Sequence, residues 1–166
     1  MPKSLLVYSA APQATSQPPN LPRSDADTAP AVVLDTNVVL DWLVFKDAQA
    51  GPLTEALAAG TLRWLTCRRM RDELERTLAY PALAKWNPDS EHVLTIFDRQ
   101  GTAQPDPPPA PLDLRCSDPD DQVFLDLALA TRARWLLTHD RALLKLARRA
   151  GRSGLHILPP ARWPGP

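Results

Sequence analysis

The sequence has little of the chemistry that most often announces a function. Its two cysteines, Cys67 and Cys116, fall in no spacing that a metal site uses; free thiols in a reducing compartment are expected, and a disulfide has no support. Its three histidines form no recognisable triad, so nucleophilic hydrolysis has no visible machinery. Nineteen basic and nineteen acidic side chains cancel, and no overall field draws the chain to nucleic acid or to a membrane surface. No apolar run approaches the roughly 20 residues that a membrane helix needs. Leu5-Leu6-Val7, after Lys3, is too short for a signal peptide. What remains is a chain of 166 residues, long enough for one domain with a real core. It is expected in the cytoplasm, with no membrane partner.

Proline is abundant instead, at 19 of 166 residues against a usual share of about 5%. Six prolines lie in residues 1–30, five between Pro105 and Pro111, and four between Pro159 and Pro166, so the interior elements are largely uninterrupted. Residues 1–29, rich in Pro, Ser, Ala and Gln, read as a flexible tail, and residues 30–166 as the folded domain.

Ala31-Val32-Val33-Leu34 is a continuous apolar run suited to a strand covered on both faces. Helices are expected over Val38–Phe45, and over Pro52–Ala59 with Gly60 past its end. Leu62–Leu65 reads as a second strand and Arg68–Ala79 as a charged helix with Met70, Leu74 and Leu78 on one stripe. Ser90–Gln100 reads as a helix capped by Ser90 and stopped by Gly101. Asp118-Pro119 is expected to open a buried helix to about Arg132. Trp135–Thr138 is a further strand, Arg141–Ala150 a helix, and His156–Leu158 a last strand. Strands alternating with helices indicate an α/β fold with a mainly parallel sheet.

The acids are placed with more purpose than their number suggests. Asp35 and Asp140 each follow an apolar strand, and in open parallel sheets the functional crevice lies beyond the carboxyl ends of the strands. Glu73 lies on the charged helix, and Asp118, Asp120 and Asp121 stand at the head of the buried one. Carboxylates pressed together repel unless a cation lies between them, and hard ions such as Mg2+ or Mn2+ favour all-oxygen surroundings. A pair of such ions about 4 Å apart can cleave a phosphodiester without a protein nucleophile. Each acid also has a plainer role. Asp140 can cap the helix that follows, Asp118 can cap before Pro119, and Asp35 can form an Asx turn. Glu73 can pair with Arg69 on an exposed face that also offers Arg71–Glu75 and Asp72–Arg76.

Val32-Val33-Leu34-Asp35-Thr36-Asn37-Val38-Val39 resembles the opening motif of PIN domains. Asp118 to Ala130, followed by Trp135-Leu136-Leu137-Thr138-His139-Asp140, resembles the second half of the same fold. The match is best to the subgroup described as toxin components of toxin–antitoxin systems, and covers about residues 31–160. The resemblance implies a three-layer α/β/α sandwich and three or four acids binding Mg2+ or Mn2+. It further implies RNA cleavage, with a cognate antitoxin as partner and a second copy of the chain as a further candidate. By position, the acids it implies are Asp35, Glu73, Asp121 and Asp140, supported by Thr36, Asn37 and Thr138. The third is open in register, with Asp120 or Asp118 as alternatives and Gln122 reached by another count. His139 stands where a smaller residue is usual.

Local charge supplies what net charge does not. Arg132 to Arg152 holds seven basic residues and one acid, Asp140, a formal +6. Arg141, Lys145, Arg148 and Arg152 share one helical face, a candidate for RNA phosphates or an ordinary solvated surface. Arg68, Arg69 and Arg71 form a second basic cluster. Trp42, Trp64 and Trp135 lie in apolar elements and are expected in the core. The alternative function is a PIN-like scaffold that binds RNA or protein without cutting. A phosphatase or receiver-like reading fails because no Lys follows the late strand before Lys145.

Overall fold

The computed structural model of the chain describes residues 29–166, so the expected tail of residues 1–29 lies almost wholly outside it. Five parallel strands form one sheet in the order β3-β2-β1-β4-β5. They are β1 (Ala31–Leu34), β2 (Arg63–Cys67), β3 (Gly101–Gln104), β4 (Trp135–Leu137) and β5 (His156–Leu158). The α-helices are α1 (Thr36–Leu40), α2 (Gly51–Ala58), α3 (Arg68–Leu78), α4 (Ser90–Gln100), α5 (Gln122–Ala130), α6 (Arg141–Leu144) and α7 (Ala147–Ala150).

β1 is central because nothing in it tolerates water. Successive strand side chains point to opposite faces, and all four of its residues are buried, so both faces of the sheet are covered. Its neighbours follow the same rule, with Trp64, Leu65, Leu136 and Leu137 in the core. The Trp64 ring packs edge-on against Trp42 at 5.8 Å and Phe97 at 5.0 Å between centroids. Trp64 and Trp135 are buried as expected, while Trp42 is only partly buried.

From β1 the chain runs outward through β2 and β3, then returns to place β4 on the other side of β1. The connections therefore diverge between β1 and β4, which opens a crevice beyond their carboxyl ends. Asp35 follows β1 and Thr138-His139-Asp140 follow β4, and the Asp35 amide donates to Leu137 O at 3.0 Å.

Several expected boundaries shift for local reasons. Gly101 does end α4, but it also begins β3, an edge strand whose Thr and Ala are exposed and show no apolar pattern. A Cβ at Gly101 would lie 2.6 Å from Thr66 Cγ2 and 2.7 Å from Phe97 O, so glycine is what lets β3 close on β2. Asp89, not Ser90, caps α4, accepting from the His92 amide at 3.0 Å. The expected helix over Val38–Phe45 begins at Thr36 and widens into a π-turn over Asp41–Phe45. The helix expected from Pro119 starts only at Gln122, because Asp118 Oδ1 accepts from the Asp120 amide at 3.0 Å and holds Asp118–Asp120 as a turn. The single helix expected over Arg141–Ala150 is broken at Lys145-Leu146 into α6 and α7. Arg141, Lys145, Arg148 and Arg152 stay exposed but do not line one continuous helix.

Candidate metal centre

Asp35 is the buried member of the site, 1% exposed at the tip of β1. Its Oδ2 accepts from Thr138 Oγ1 at 2.6 Å, and that same hydroxyl accepts from the Asp140 amide at 2.8 Å. Thr138 thus ties the ends of the two central strands together and orients the first carboxylate. Asp35 makes no side-chain cap bond to α1, although the Asn37 and Thr36 amides lie close enough to act on its carboxylate. Burial pushes its pKa up, opposed by the Thr138 hydrogen bond and by the amides of Asn37 and Thr36, while the charge of Asp140 adds to the rise.

Glu73 reaches the crevice from the second turn of α3. Its Oε1 accepts from Thr36 Oγ1 at 2.8 Å, a tertiary contact across 37 positions in place of the expected pair with Arg69. The other surface pairs also re-sort. Arg68 binds Asp72 at 2.8 Å, and Arg71 binds Asp98 at 2.8 Å and Glu75 at 3.4 Å; the expected Asp72–Arg76 pair does not form. Burial, with the Asp35 and Asp120 charges, pushes Glu73 up to about 7 against the opposing Thr36 bond.

Asp121 directly precedes α5 and caps nothing with its side chain. Burial first, and then the charges of Asp35, Asp140, Asp118 and Glu73, push it up to about 7. Of the alternative registers, Gln122 is committed elsewhere: its Oε1 accepts from the Cys116 amide at 2.6 Å, and its Nε2 donates to Asp126 Oδ1 at 2.7 Å. Asp120 is exposed and lines a side cleft with Glu73, Arg69 and Arg76. Asp118 is occupied by its turn.

Asp140 fills the capping role its position suggests and also lies beside Asp121. Its Oδ1 caps α6, accepting from Ala142 at 2.6 Å and Leu143 at 3.0 Å, while Oδ2 makes no hydrogen bond among the described residues. Ligand atoms of Asp140, Asp121 and Cys116 lie within 4.8 Å of one another, close enough to share an ion. Of the expected supporting residues, Thr36 and Thr138 engage carboxylates, whereas the Asn37 side chain is exposed and makes no hydrogen bond among the described residues. His139 turns aside to Asp41 Oδ2 at 2.8 Å.

Two features escape a reading of the sequence. Cys116 lies on the loop after Pro111, where no periodicity marks it, yet its thiol borders Asp121 and Asp140; burial and these charges push its pKa up. Asp126, buried on α5, accepts from the Ala110 amide at 2.8 Å and so pins the proline-rich loop beside the site. Its signal is a carboxylate four residues after Gln122 in a helix that is otherwise apolar on nearly every side.

Asp121 and Asp140 thus lie within ligand reach of each other, while Asp35 and Glu73 border them at longer range, and burial with neighbouring acid charges raises Asp35, Glu73 and Asp121. A divalent cation is the partner that relieves this strain, so the residues fit such an ion. Among the described residues, no helix is long and apolar enough to cross a membrane.

A search of curated proteins finds no relative. Among solved structures, the chain is similar to one described as VapBC2 from Rickettsia felis bound to a DNA fragment from their promoter, with a TM-score of 0.53 at 14% identity, over 76% of this chain and 96% of that one. That likeness shows the fold. The family model for the PIN domain matches residues 31–142, from the first strand through Asp140, and the chain belongs to the PIN-domain family.

Proposed function

We propose that this PIN domain is a divalent-metal-dependent endoribonuclease of the cytoplasm, and the toxin of a toxin–antitoxin pair. The observation that carries the reading is the approach of Asp121 and Asp140 to ligand distance beyond the ends of β1 and β4, with Asp35 and Glu73 near enough for acid charges to raise one another and two carboxyls raised to about 7. Mg2+ or Mn2+ held there would supply Lewis acidity for water attack on a phosphodiester and offset charge on the leaving oxygen. The chain's own groups do the rest. Thr138 fixes the Asp35 carboxylate, Thr36 fixes that of Glu73, and the α6 amides hold one oxygen of Asp140 so that the other points free. Glu73 and Asp121, raised to about 7, would hold the ion in their ionised form, so that metal affinity would rise with pH.

The toxin reading is supported by the sequence blocks that resemble that subgroup. It is also in keeping with the VapBC2 neighbour, which was captured on DNA from their promoter. A cognate antitoxin would accordingly co-purify when its gene is expressed beside this one.

The purified protein with Mn2+ should degrade single-stranded RNA. Asp35→Asn should lower the rate by more than about a hundredfold, beyond what losing a mere supporting residue does. Unchanged cleavage in that variant refutes the centre. RNA binding by the unaltered protein without any cleavage would favour the non-cutting scaffold instead.

A further inference from the structure

Arg69 and Arg115 both line a cleft of about 310 Å³, together with Pro109, Cys116, Pro119 and Gln122. The two arginines differ from their neighbours. Arg68 and Arg71 on the same helix are held by Asp72, Asp98 and Glu75, but neither the Arg69 nor the Arg115 guanidinium makes an ion pair or hydrogen bond among the described residues. The acid at this cleft, Asp126, is buried and already accepts from the Ala110 amide and from Gln122. Both guanidiniums at the cleft are therefore unspent, while Asp106 accepts only from the Arg69 backbone amide, at 3.3 Å. The cleft shares Cys116 with Asp121 and Asp140 and so adjoins the candidate centre. Arg69 also borders the second cleft, of about 280 Å³, that contains Glu73 and Arg76.

We propose that Arg69 and Arg115 clamp a backbone phosphate of the RNA strand next to the one being cleaved. The carboxylate cluster repels an approaching polyanion, and the chain has no net charge to offset that repulsion. Two unpaired guanidiniums at the rim supply the missing attraction where it positions the strand. Each presents a planar fork that matches phosphate oxygens. Walls carrying Pro109 and Pro119 keep the cleft from collapsing when empty. This assigns phosphate contact to the α3 side of the crevice rather than to the exposed Arg141–Arg152 segment, whose helix is broken.

The proposal rests on the nuclease reading, and the test separates the two. Cleavage of a short single-stranded RNA in Mn2+ is measured for the unaltered protein, for Arg69→Gln/Arg115→Gln, and for Arg68→Gln as a charge control on the same helix. The double variant should raise KM about tenfold, leave kcat within about twofold, and keep its Mn2+ affinity. In an Asp35→Asn background, the slope of log affinity against log salt should shrink by about 0.7 for the one phosphate released. Arg68→Gln should leave KM unchanged. If the unaltered protein cleaves and the double variant has the same KM and slope, or Arg68→Gln is as damaging, the clamp is refuted while the nuclease stands. If the unaltered protein neither binds nor cleaves RNA, the nuclease reading falls and takes the clamp with it.

Discussion

Thr138 shows how much a single hydroxyl carries here. It donates to a carboxylate that is 1% exposed and accepts from the amide of the next acid along, so both acids take their positions from it. Thr138→Val keeps the shape but strips Asp35 of its side-chain donor. The variant should lose about 1–3 kcal/mol in denaturant unfolding, and more as pH rises and Asp35 ionises. Full stability at pH 8 would mean that this bond does not hold Asp35. At this scale the sequence discloses Asp35, because an acid directly after four apolar residues has few ornamental uses. Glu73 is harder to read. The spacing Arg69–Glu73 is the same as Arg68–Asp72, and the contact that separates them comes from Thr36, which lies 37 positions away. No spacing rule along one helix contains that information.

At the scale of elements, α5 and the proline-rich loop form one unit. Gln122 and Asp126 sit one turn apart and satisfy the amides of Cys116 and Ala110, which would otherwise point at an apolar helix without partners. Asp126→Ala removes the acceptor for the Ala110 amide and for Gln122 Nε2. It should cost about 1–3 kcal/mol, speed hydrogen exchange at Ala110, and make Cys116 react faster with a thiol reagent. An equally protected Ala110 amide in the variant would rule out the pinning. The sequence reveals β1, β2, β4 and β5 through apolar runs, but β3 carries Gly-Thr-Ala-Gln and owes its existence to pairing with β2 and to the missing Cβ of Gly101. The break between α6 and α7 is similarly silent. Leu143, Leu146 and Ala150 fit a continuous helix as well as a bent one, and packing decides.

For the molecule as a whole, the raised carboxyls predict a characteristic response to pH. A carboxyl whose folded pKa exceeds its unfolded value favours folding while it is protonated. That contribution is full below the unfolded value and is lost as pH rises through the folded one. For Glu73 the span is 4.5 to about 7, and for Asp121 it is 3.8 to about 7. The metal-free protein should therefore lose melting temperature between about pH 4 and about 7 from these two groups, and Asp121→Asn should flatten the decline. Mn2+ should act in the opposite sense, raising the melting temperature more at the alkaline end, where the ligands are already ionised. A metal effect that is equal at both ends would separate these acids from the cation.

The strand order also determines when the centre can exist. β1 leaves the ribosome first of the strands, yet the hydroxyl that orients Asp35 arrives 103 positions later, on the chain following β4. Parallel pairings across such separations close late in folding. A growing or prematurely terminated chain that stops short of Trp135 carries Asp35, Glu73 and Asp121 but has no crevice to hold them. For a proposed RNA-cutting enzyme made on an RNA-rich machine, this would be a safeguard in time: the polypeptide would be harmless through most of its synthesis, and a truncated product would be inert rather than merely weakened.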